Sequence, residues 1–185
     1  TFYTQHTEEF YDFYKNKMIF LDAKPNKAHL KLAEMEQAGK LSAIVTQNID
    51  GLHQAAGSKN VFELHGSVHR NYCQKCGKFF DVNYVVNAKG VPYCDECGGI
   101  IKPDVVLYEE GLDSQTINGA VRAISKADML IIGGTSLVVY PAAGMIDYFK
   151  GKYLAVLNRD ATSRDKQADL CITDPIGEVL GRIRV

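Results

Sequence analysis

The sequence predicts an α/β protein in which a parallel, doubly wound sheet carries a small inserted module. Predicted strands alternate with predicted helices along most of the chain, a pattern typical of parallel sheets. Hydrophobic residues make up 46% of the 185 residues, which is enough to bury a core. Four cysteines fall within one stretch that has little helix or strand periodicity, and this stretch marks the insert.

Two helices are predicted before the insert. Thr7 is expected to cap the first, which runs to about Met18. One side of this helix is marked by Phe10, Phe13, Tyr14 and Lys17. Pro25 is expected to begin the second helix and Gly39 to end it, because proline suits a first turn and glycine suits the residue after a last one.

Six short apolar runs predict the strands. The clearest is Asp128–Ile132, which is apolar at four successive positions and has the length of a buried strand. The predicted strands cover residues 42–46, 61–64, 105–108, 128–132, 153–157 and 170–173.

Three further helices are predicted after the insert. Ser114 is expected to cap the first, where Ile117, Val121 and Ile124 share a face. Pro141 is expected to begin the second and Gly151 to end it. The dipeptide Asp174-Pro175 is expected to begin the third. Its inward residues are Ile176, Val179, Leu180 and Ile183.

These elements divide the chain into two regions. Residues 68–102 are predicted to form the small module, because this stretch is glycine-rich at its edges. Residues 1–67 and 103–185 are predicted to form the sheet domain, with residues 1–22 as a helical insert. The chain opens within a polar and aromatic stretch, so the true N-terminus is expected to lie upstream of Thr1.

Two pairs of cysteines predict a metal site. Cys73 and Cys76 form one CxxC pair, and Cys94 and Cys97 form the other. Two such pairs can surround one ion, and thiolate is a ligand that zinc favours, although two disulfides would be the reading for a secreted protein. Four sulfur ligands close the coordination shell, so the zinc is expected to be structural. The fifth cysteine, Cys171, is expected to be a small core residue.

Polar or glycine residues follow three predicted strands directly. Because the carboxyl ends of parallel strands line one crevice, these residues predict a nucleotide site there. Backbone N–H groups and hydroxyls suit phosphate or ribose oxygens. Each loop by itself has an ordinary turn composition, and it is the coincidence of three that favours a site. The segments are Gln47-Asn48-Ile49-Asp50, Gly133-Gly134-Thr135-Ser136 and Asn158-Arg159-Asp160.

A histidine at the end of a predicted strand is a candidate general base. In Leu64-His65-Gly66 the ring is expected to be exposed enough to exchange protons near neutral pH. A lone histidine is more often structural, so this interpretation depends on the neighbouring crevice and the cysteine module.

Charge and hydropathy exclude some functions. The formal net charge is −1, which argues against a general nucleic-acid or membrane-surface binder. No apolar run approaches the roughly 18 residues of a membrane span.

With these residues in view, the chain resembles the sirtuin family. The matching segments occur in the family's order and cover nearly the whole chain. They are residues 25–29, residues 46–53, Glu63-Leu64-His65-Gly66, the four cysteines, residues 101–106, residues 134–139 with Pro141, and Asn158.

The resemblance implies a Rossmann-like domain with a small zinc-binding domain, and NAD as a consumed co-substrate. Nicotinamide would leave, and the acetyl group of an acetylated lysine would pass to ADP-ribose. His65, Asn48 and Asp50 would be catalytic, with His65 accepting a proton from the ribose hydroxyls. The remaining NAD contacts would come from Gln47, Ile49, Gly134, Thr135, Ser136, Asn158 and Arg159.

The resemblance also implies how a substrate would bind. An acetylated lysine peptide would be added as a strand. The residues expected around it are Val105, Val106, Leu137, Val138 and Val139. The protein is expected to be a cytoplasmic monomer that binds neither nucleic acid nor membrane.

Two departures from the family pattern are visible. The family's Gly-Ala-Gly-x-Ser loop, which cradles the NAD phosphates, is not in this chain, so the chain by itself is expected to bind NAD poorly. Where the family commonly has a glycine, the chain has Glu109, which would be strained if its φ were positive.

Other functions are left open by the residues. Protein ADP-ribosyl transfer and removal of longer acyl groups are alternatives within the family. For a succinyl or malonyl group, the family's Tyr-x-x-Arg pair is replaced here by Tyr14-x-x-Lys17. A zinc-ribbon interaction module is an alternative of another class. A dehydrogenase would need a Gly-x-Gly-x-x-Gly turn that the chain does not contain.

Overall fold

The protein is described by a computed structural model that covers residues 2–185. Its helices are α1 (Phe2–Gln5), α2 (Thr7–Phe13), α3 (Lys27–Gln37), α4 (Leu52–Ala55), α5 (Val82–Asn87), α6 (Ser114–Lys126) and α7 (Ile176–Gly181), with a π-helical turn at Tyr14–Met18 and 3₁₀ turns at Ala142–Tyr148 and Asp165–Gln167. Its strands are β1 (Ile44–Thr46), β2 (Val61–Glu63), β3 (Gly66–Cys73), β4 (Phe79–Phe80), β5 (Ile101–Val105), β6 (Met129–Gly133), β7 (Tyr153–Leu157) and β8 (Leu170–Ile172).

The chain divides into two compact units. Unit 1 consists of Thr1–Ala23, Asn48–Gly51 and His65–Leu112. Unit 2 consists of Lys24–Gln47, Leu52–Leu64 and Asp113–Val185.

Unit 1 is built on an antiparallel sheet with the strand order β4-β3-β5. Its core includes Tyr11, Tyr14, Val85 and Ile101, all fully buried, so aromatic residues of the N-terminal helices pack with aliphatic residues of the cysteine-bearing stretch. Residues 1–22 were predicted to belong to the sheet domain, whereas α1 and α2 group with the cysteine module in unit 1. The reason is that α1 and α2 supply rings that β3, α5 and β5 need to complete a core.

The first predicted helix differs in detail from the observed one. His6, not Thr7, stands at the N-cap of α2, and the Thr7 hydroxyl donates a hydrogen bond to the carbonyl of Tyr3. Phe13 was predicted on the inner side and is exposed, whereas Tyr11 is buried. The change to a π-helical turn after Phe13 ends the simple helical spacing that the prediction assumed.

Unit 2 contains the parallel strands. β1 pairs in parallel with β2, and β7 lies between β6 and β8 with both pairings parallel. One apolar cluster includes Ile132, Leu154 and Val156, and another joins Ala28 of α3 to Leu180 of α7. The predicted α/β class with parallel strands is therefore confirmed.

Several predicted boundaries in the second half of the chain move. The strand predicted at residues 105–108 is β5 at Ile101–Val105, because its partner is β3 of the same module. Asp113 rather than Ser114 caps α6, accepting a hydrogen bond from the backbone N–H of Thr116. Cys171 is exposed and is not a core residue.

The second predicted helix is observed as α3, with its ends close to the predicted positions. Asn26, one residue after the predicted Pro25, caps α3. Gly39 follows the end of the helix, as predicted, and has φ of +70°.

Within residues 2–185, none of the helices combines the length and apolar character needed to cross a membrane.

Two buried tyrosines of unit 1 provide a matched pair for testing its core. The Tyr11 hydroxyl donates a 2.5 Å hydrogen bond to the carbonyl of Ile101, whereas no partner for the Tyr14 hydroxyl is found among the described residues. Burial raises the pKa of both phenols, so both stay neutral. Tyr11→Phe should lower the free energy of unfolding by about 1–2 kcal/mol, because the Ile101 carbonyl is left unpaired. Tyr14→Phe should change it by less than about 0.5 kcal/mol. Urea denaturation measures both, and equal losses would contradict the assignment.

The turn after β5 carries the strain that the sequence analysis anticipated. The Glu110 N–H donates to the carbonyl of Leu107, and Glu109 has φ of +76° at the third position of this turn, where glycine is favoured. Glu109→Gly should therefore raise the free energy of unfolding by about 0.5–1 kcal/mol. Glu110→Gly is the control and should be destabilising, because the Glu110 carboxylate accepts hydrogen bonds from Leu107 and Lys102. A loss of stability in Glu109→Gly would refute the strain.

Candidate functional site

The four predicted cysteines of unit 1 lie together. Their sulfur atoms are all within 4.8 Å of one another, with Cys73 Sγ 3.4 Å from Cys97 Sγ and Cys76 Sγ 3.7 Å from Cys94 Sγ. A disulfide would need about 2.05 Å. Tetrahedral zinc–sulfur bonds of about 2.3 Å place neighbouring sulfurs about 3.8 Å apart, so the cluster fits a structural zinc and not two disulfides.

Two equivalent backbone turns build this centre. Gly77 N–H donates to the carbonyl of Cys73 at 2.9 Å, and Gly98 N–H donates to the carbonyl of Cys94 at 3.0 Å. Both glycines have positive φ, 74° and 68°, which a side chain would disfavour. The two CxxC pairs therefore form turns of the same kind, and each turn is closed by a hydrogen bond of its own backbone.

The surroundings of Cys73 suit a thiolate. A backbone hydrogen bond from Cys76, with a second from Lys75, lowers the pKa of the Cys73 thiol to about 6. A Cβ added to Gly99 would lie 2.8 Å from Cys73 Sγ, so the chain approaches the cluster as closely as glycine allows. The Lys78 ammonium forms ion pairs with Asp95 and Glu96 and lowers the pKa of the Asp95 carboxyl, which links the two turns at the surface.

His65 is held by its backbone at the start of β3. Its carbonyl accepts a hydrogen bond from Val106 N–H at 3.0 Å, and the next residue, Gly66, pairs with Val105 across the sheet. Gly66 has φ of +75°, and a Cβ there would overlap the carbonyl oxygen of Asp104. The His65 side chain is half-buried, so the ring is neither in the core nor fully in solvent.

The segment Asn48–Gly51 lies beside β3 in the same unit. The carbonyl of Ile49 accepts a hydrogen bond from Val68 N–H at 3.0 Å, and the carbonyl of Asp50 is 3.0 Å from Nε2 of His69. Asn48 is exposed, and the Asp50 side chain is half-buried. Unit 1 therefore holds the three residues predicted to be catalytic, Asn48, Asp50 and His65.

The loops after β6 and β7 are neighbours in unit 2. Gly133 pairs with Leu157, and Gly134 N–H donates to the carbonyl of Leu157 at 3.1 Å. Asn158 N–H donates to the carbonyl of Ile172, and the Asn158 amide donates to the carbonyl of Asp160 at 2.8 Å. These bonds bring two of the three predicted strand ends together at one sheet edge.

The third predicted strand end is arranged differently. Gln47 follows β1 in unit 2, but β1 pairs with β2 in a separate two-stranded sheet and not with β6 or β7. The chain then passes to unit 1 at Asn48. Among the described residues, strand pairing therefore brings together the loops after β6 and β7 and does not include the loop after β1.

The remaining predicted residues have contrasting exposures. Thr135 is half-buried, and its hydroxyl oxygen accepts a hydrogen bond from Leu137 N–H at 3.2 Å. Ser136 and Arg159 are exposed. Of the predicted peptide contacts, Val105 and Leu137 are buried, Val106 is half-buried, and Val138 and Val139 are exposed.

His69 was not among the predicted site residues. His69 carried no signal, because its partner is a backbone carbonyl 19 residues away, which no spacing rule predicts.

Comparison with known proteins places this geometry among relatives. A sequence model of the Sir2 family matches residues 1–141. An NAD-dependent protein deacetylase of Clostridium acetobutylicum is 66% identical over 181 residues, covering 97% of this chain and 74% of the relative.

Two solved structures are similar over 98% of the chain. One, Sir2 with a p53 peptide and NAD⁺, is 41% identical with a TM-score of 0.92, and the match covers 78% of it. The other, Sir2 with the inhibitor EX-527, 2′-O-acetyl-ADP-ribose and a deacetylated p53 peptide, is 43% identical with a TM-score of 0.91, and the match covers 80% of it.

The exposed Cys171 provides a control for the metal centre. Cys73→Ala should abolish binding of one zinc ion per chain and unfold unit 1, because metal binding and folding of such a module are coupled. Cys171→Ala should keep both zinc and stability, since its sulfur lies outside the cluster. Metal analysis of the purified protein with near-ultraviolet circular dichroism measures both properties. Native protein without zinc would contradict the assignment.

Proposed function

Because the chain belongs to the Sir2 family, we propose that it removes acetyl groups from protein lysines while consuming NAD. The products are nicotinamide and O-acetyl-ADP-ribose. The observation that carries this conclusion is the 66% identity to an NAD-dependent protein deacetylase over 97% of the chain. The family match covers His65, Asn48 and Asp50, and all three belong to unit 1.

His65 is proposed as the general base. Its half-buried ring has access to a substrate, while the bonds at Gly66 and Val106 hold its backbone still. A base must lie in a fixed position to take a proton at the moment the reaction needs it. We propose that His65 accepts a proton from a ribose hydroxyl.

Asn48, Ile49 and Asp50 are proposed to bind the nicotinamide end of NAD. A carboxylate accepts hydrogen bonds from an amide, and an asparagine side chain both donates and accepts. Hence Asp50, with the backbone at Ile49, is assigned to the carboxamide, and Asn48 with Gln47 to the neighbouring ribose. Loss of nicotinamide leaves positive charge on that ribose, which polar oxygens stabilise.

The adenosine side of NAD is assigned to unit 2. Gly134, Thr135 and Ser136 follow β6, and Asn158 and Arg159 follow the adjacent β7. Glycine permits close backbone approach to a ligand, the hydroxyls suit ribose oxygens, and Arg159 adds a cation for phosphate. The direct bond from Gly134 to Leu157 supports a shared role for the two loops.

The acetylated lysine substrate is proposed to bind as an added strand. In unit 1 the backbone at Val105 and Val106 is assigned to it, and in unit 2 the segment Leu137–Val139. Val138 is 70% exposed and Val139 47%, so their apolar side chains are available to a peptide.

Acetyl rather than carboxylated acyl groups are proposed as the preferred substrate. A succinyl or malonyl group would need a tyrosine hydroxyl and a cation beside its carboxylate. Tyr11 and Tyr14 are both fully buried, so neither presents its hydroxyl at the surface. Tyr14 and Lys17 therefore do not form a substitute for a Tyr-x-x-Arg pair.

The zinc and the cellular setting complete the proposal. Four cysteines leave zinc no open position for a substrate water, so its chemistry is confined to holding the module together. Free thiols as zinc ligands suit a reducing compartment, which supports a cytoplasmic location. The balanced charge supports a protein that acts on peptides and not on nucleic acid or membranes, and we propose that it acts as a monomer.

The test is turnover of an acetylated peptide without NAD and with NAD at concentrations high enough to offset the poor NAD binding expected of this chain. Wild-type protein should release nicotinamide only when both substrates are present. His65→Ala should lower kcat by about 100- to 10,000-fold and should have the same free energy of unfolding as the wild type. His6→Ala, an exposed histidine of the same unit, is the control and should be fully active. NAD-dependent labelling of protein by ADP-ribose without deacetylation would replace this function with transferase activity.

A further inference from the structure

The ring of His69 lies directly against the segment assigned to nicotinamide. Nε2 of His69 is 3.0 Å from the carbonyl oxygen of Asp50. A Cβ added to Gly51 would lie 2.8 Å from Cδ2 of the same ring, so the ring occupies the space where a side chain at position 51 would begin. Gly51 also has φ of +70°, which favours glycine independently.

Two hydrogen bonds hold the peptide groups on either side of Asp50. The carbonyl of Ile49, in the peptide group before Asp50, accepts from Val68 N–H. The carbonyl of Asp50, in the peptide group after it, faces His69 Nε2. Since each peptide group is planar, holding both of them fixes the direction of the Cα–Cβ bond of Asp50.

We propose that His69 is a positioning residue, which directs the Asp50 carboxylate toward the carboxamide of nicotinamide. The inference rests on the function proposed above. A carbonyl oxygen only accepts, so His69 donates from Nε2, as either the Nε2–H tautomer or the imidazolium does. His69 does not touch the reacting atoms in this account and acts only through Asp50.

The arrangement differs from that of an ordinary surface histidine. His69 is exposed, so it is not needed to fill a core. Its ring packs on Gly51, which has no side chain, and its Nε2 bonds to the backbone carbonyl of Asp50, an assigned ligand residue. Val68, which precedes His69 on β3, donates a hydrogen bond to the carbonyl of Ile49. Two successive residues of β3 therefore bond to two successive carbonyls, those of Ile49 and Asp50.

The structural test is amide hydrogen exchange of residues 47–53 in the full chain. His69→Phe keeps the ring and removes the donor, so exchange in this segment should become about fivefold faster. His69→Gln, whose amide can donate in place of Nε2, should restore the wild-type rate. His6→Phe is the matched control and should change nothing there. Unchanged exchange in His69→Phe, or no restoration by His69→Gln, would overturn the inference, whatever the activity of the protein.

The kinetic test compares the effect of His69 on NAD with its effect on the acetylated peptide. His69→Phe should raise KM for NAD and the inhibition constant of the product nicotinamide by about fivefold each, with KM for the acetylated peptide unchanged. His69→Gln should restore both. Equal changes in both KM values would indicate a general structural defect and overturn the positioning role. Inactive wild-type protein would instead count against the proposed function, and the exchange experiment would still decide the role of His69.

Discussion

Four sulfur atoms around one point are the constraint on which the rest of unit 1 depends. β3 runs from Gly66, beside His65, to Cys73 of the cluster, and β5 begins shortly after Cys97 and ends at Val105. Val106 then bonds to the carbonyl of His65. The two paired strands therefore join the metal centre directly to the proposed base, so a zinc without chemistry of its own still determines where His65 stands.

The N-terminal helices of unit 1 are hydrogen-bonded to the cysteine-bearing module. Tyr11 bonds to the carbonyl of Ile101, Lys15 donates to the carbonyls of Ala88 and Gly90, and Tyr3 donates to Gln74. These contacts span 71 to 90 residues of sequence. The core of the cysteine-bearing module is therefore completed by helices that are remote along the chain.

The two loops of unit 2 that are proposed to bind NAD are brought together by backbone geometry. The parallel register of β6 and β7 brings Gly133 opposite Leu157, so the loops that follow them emerge side by side. Ser136 and Arg159 in these loops are exposed, while the strands that precede them are packed with apolar residues, such as Ile132 and Val156. In both units the rigid strands lie below and the polar contacts lie at their ends.

The sequence by itself determined the cysteine cluster and the parallel strands, because those depend on local spacing and composition. The roles of the candidate residues were implied by the resemblance to the sirtuin family. β7 was predicted with its observed bounds, since five apolar residues end at a polar turn. Only the tertiary structure decided that residues 2–23 pack with the cysteine module, that β1 and β6 lie in separate sheets, and that His69 grips Asp50. Each of these depends on contacts between distant parts of the chain, which the local pattern of residues does not encode.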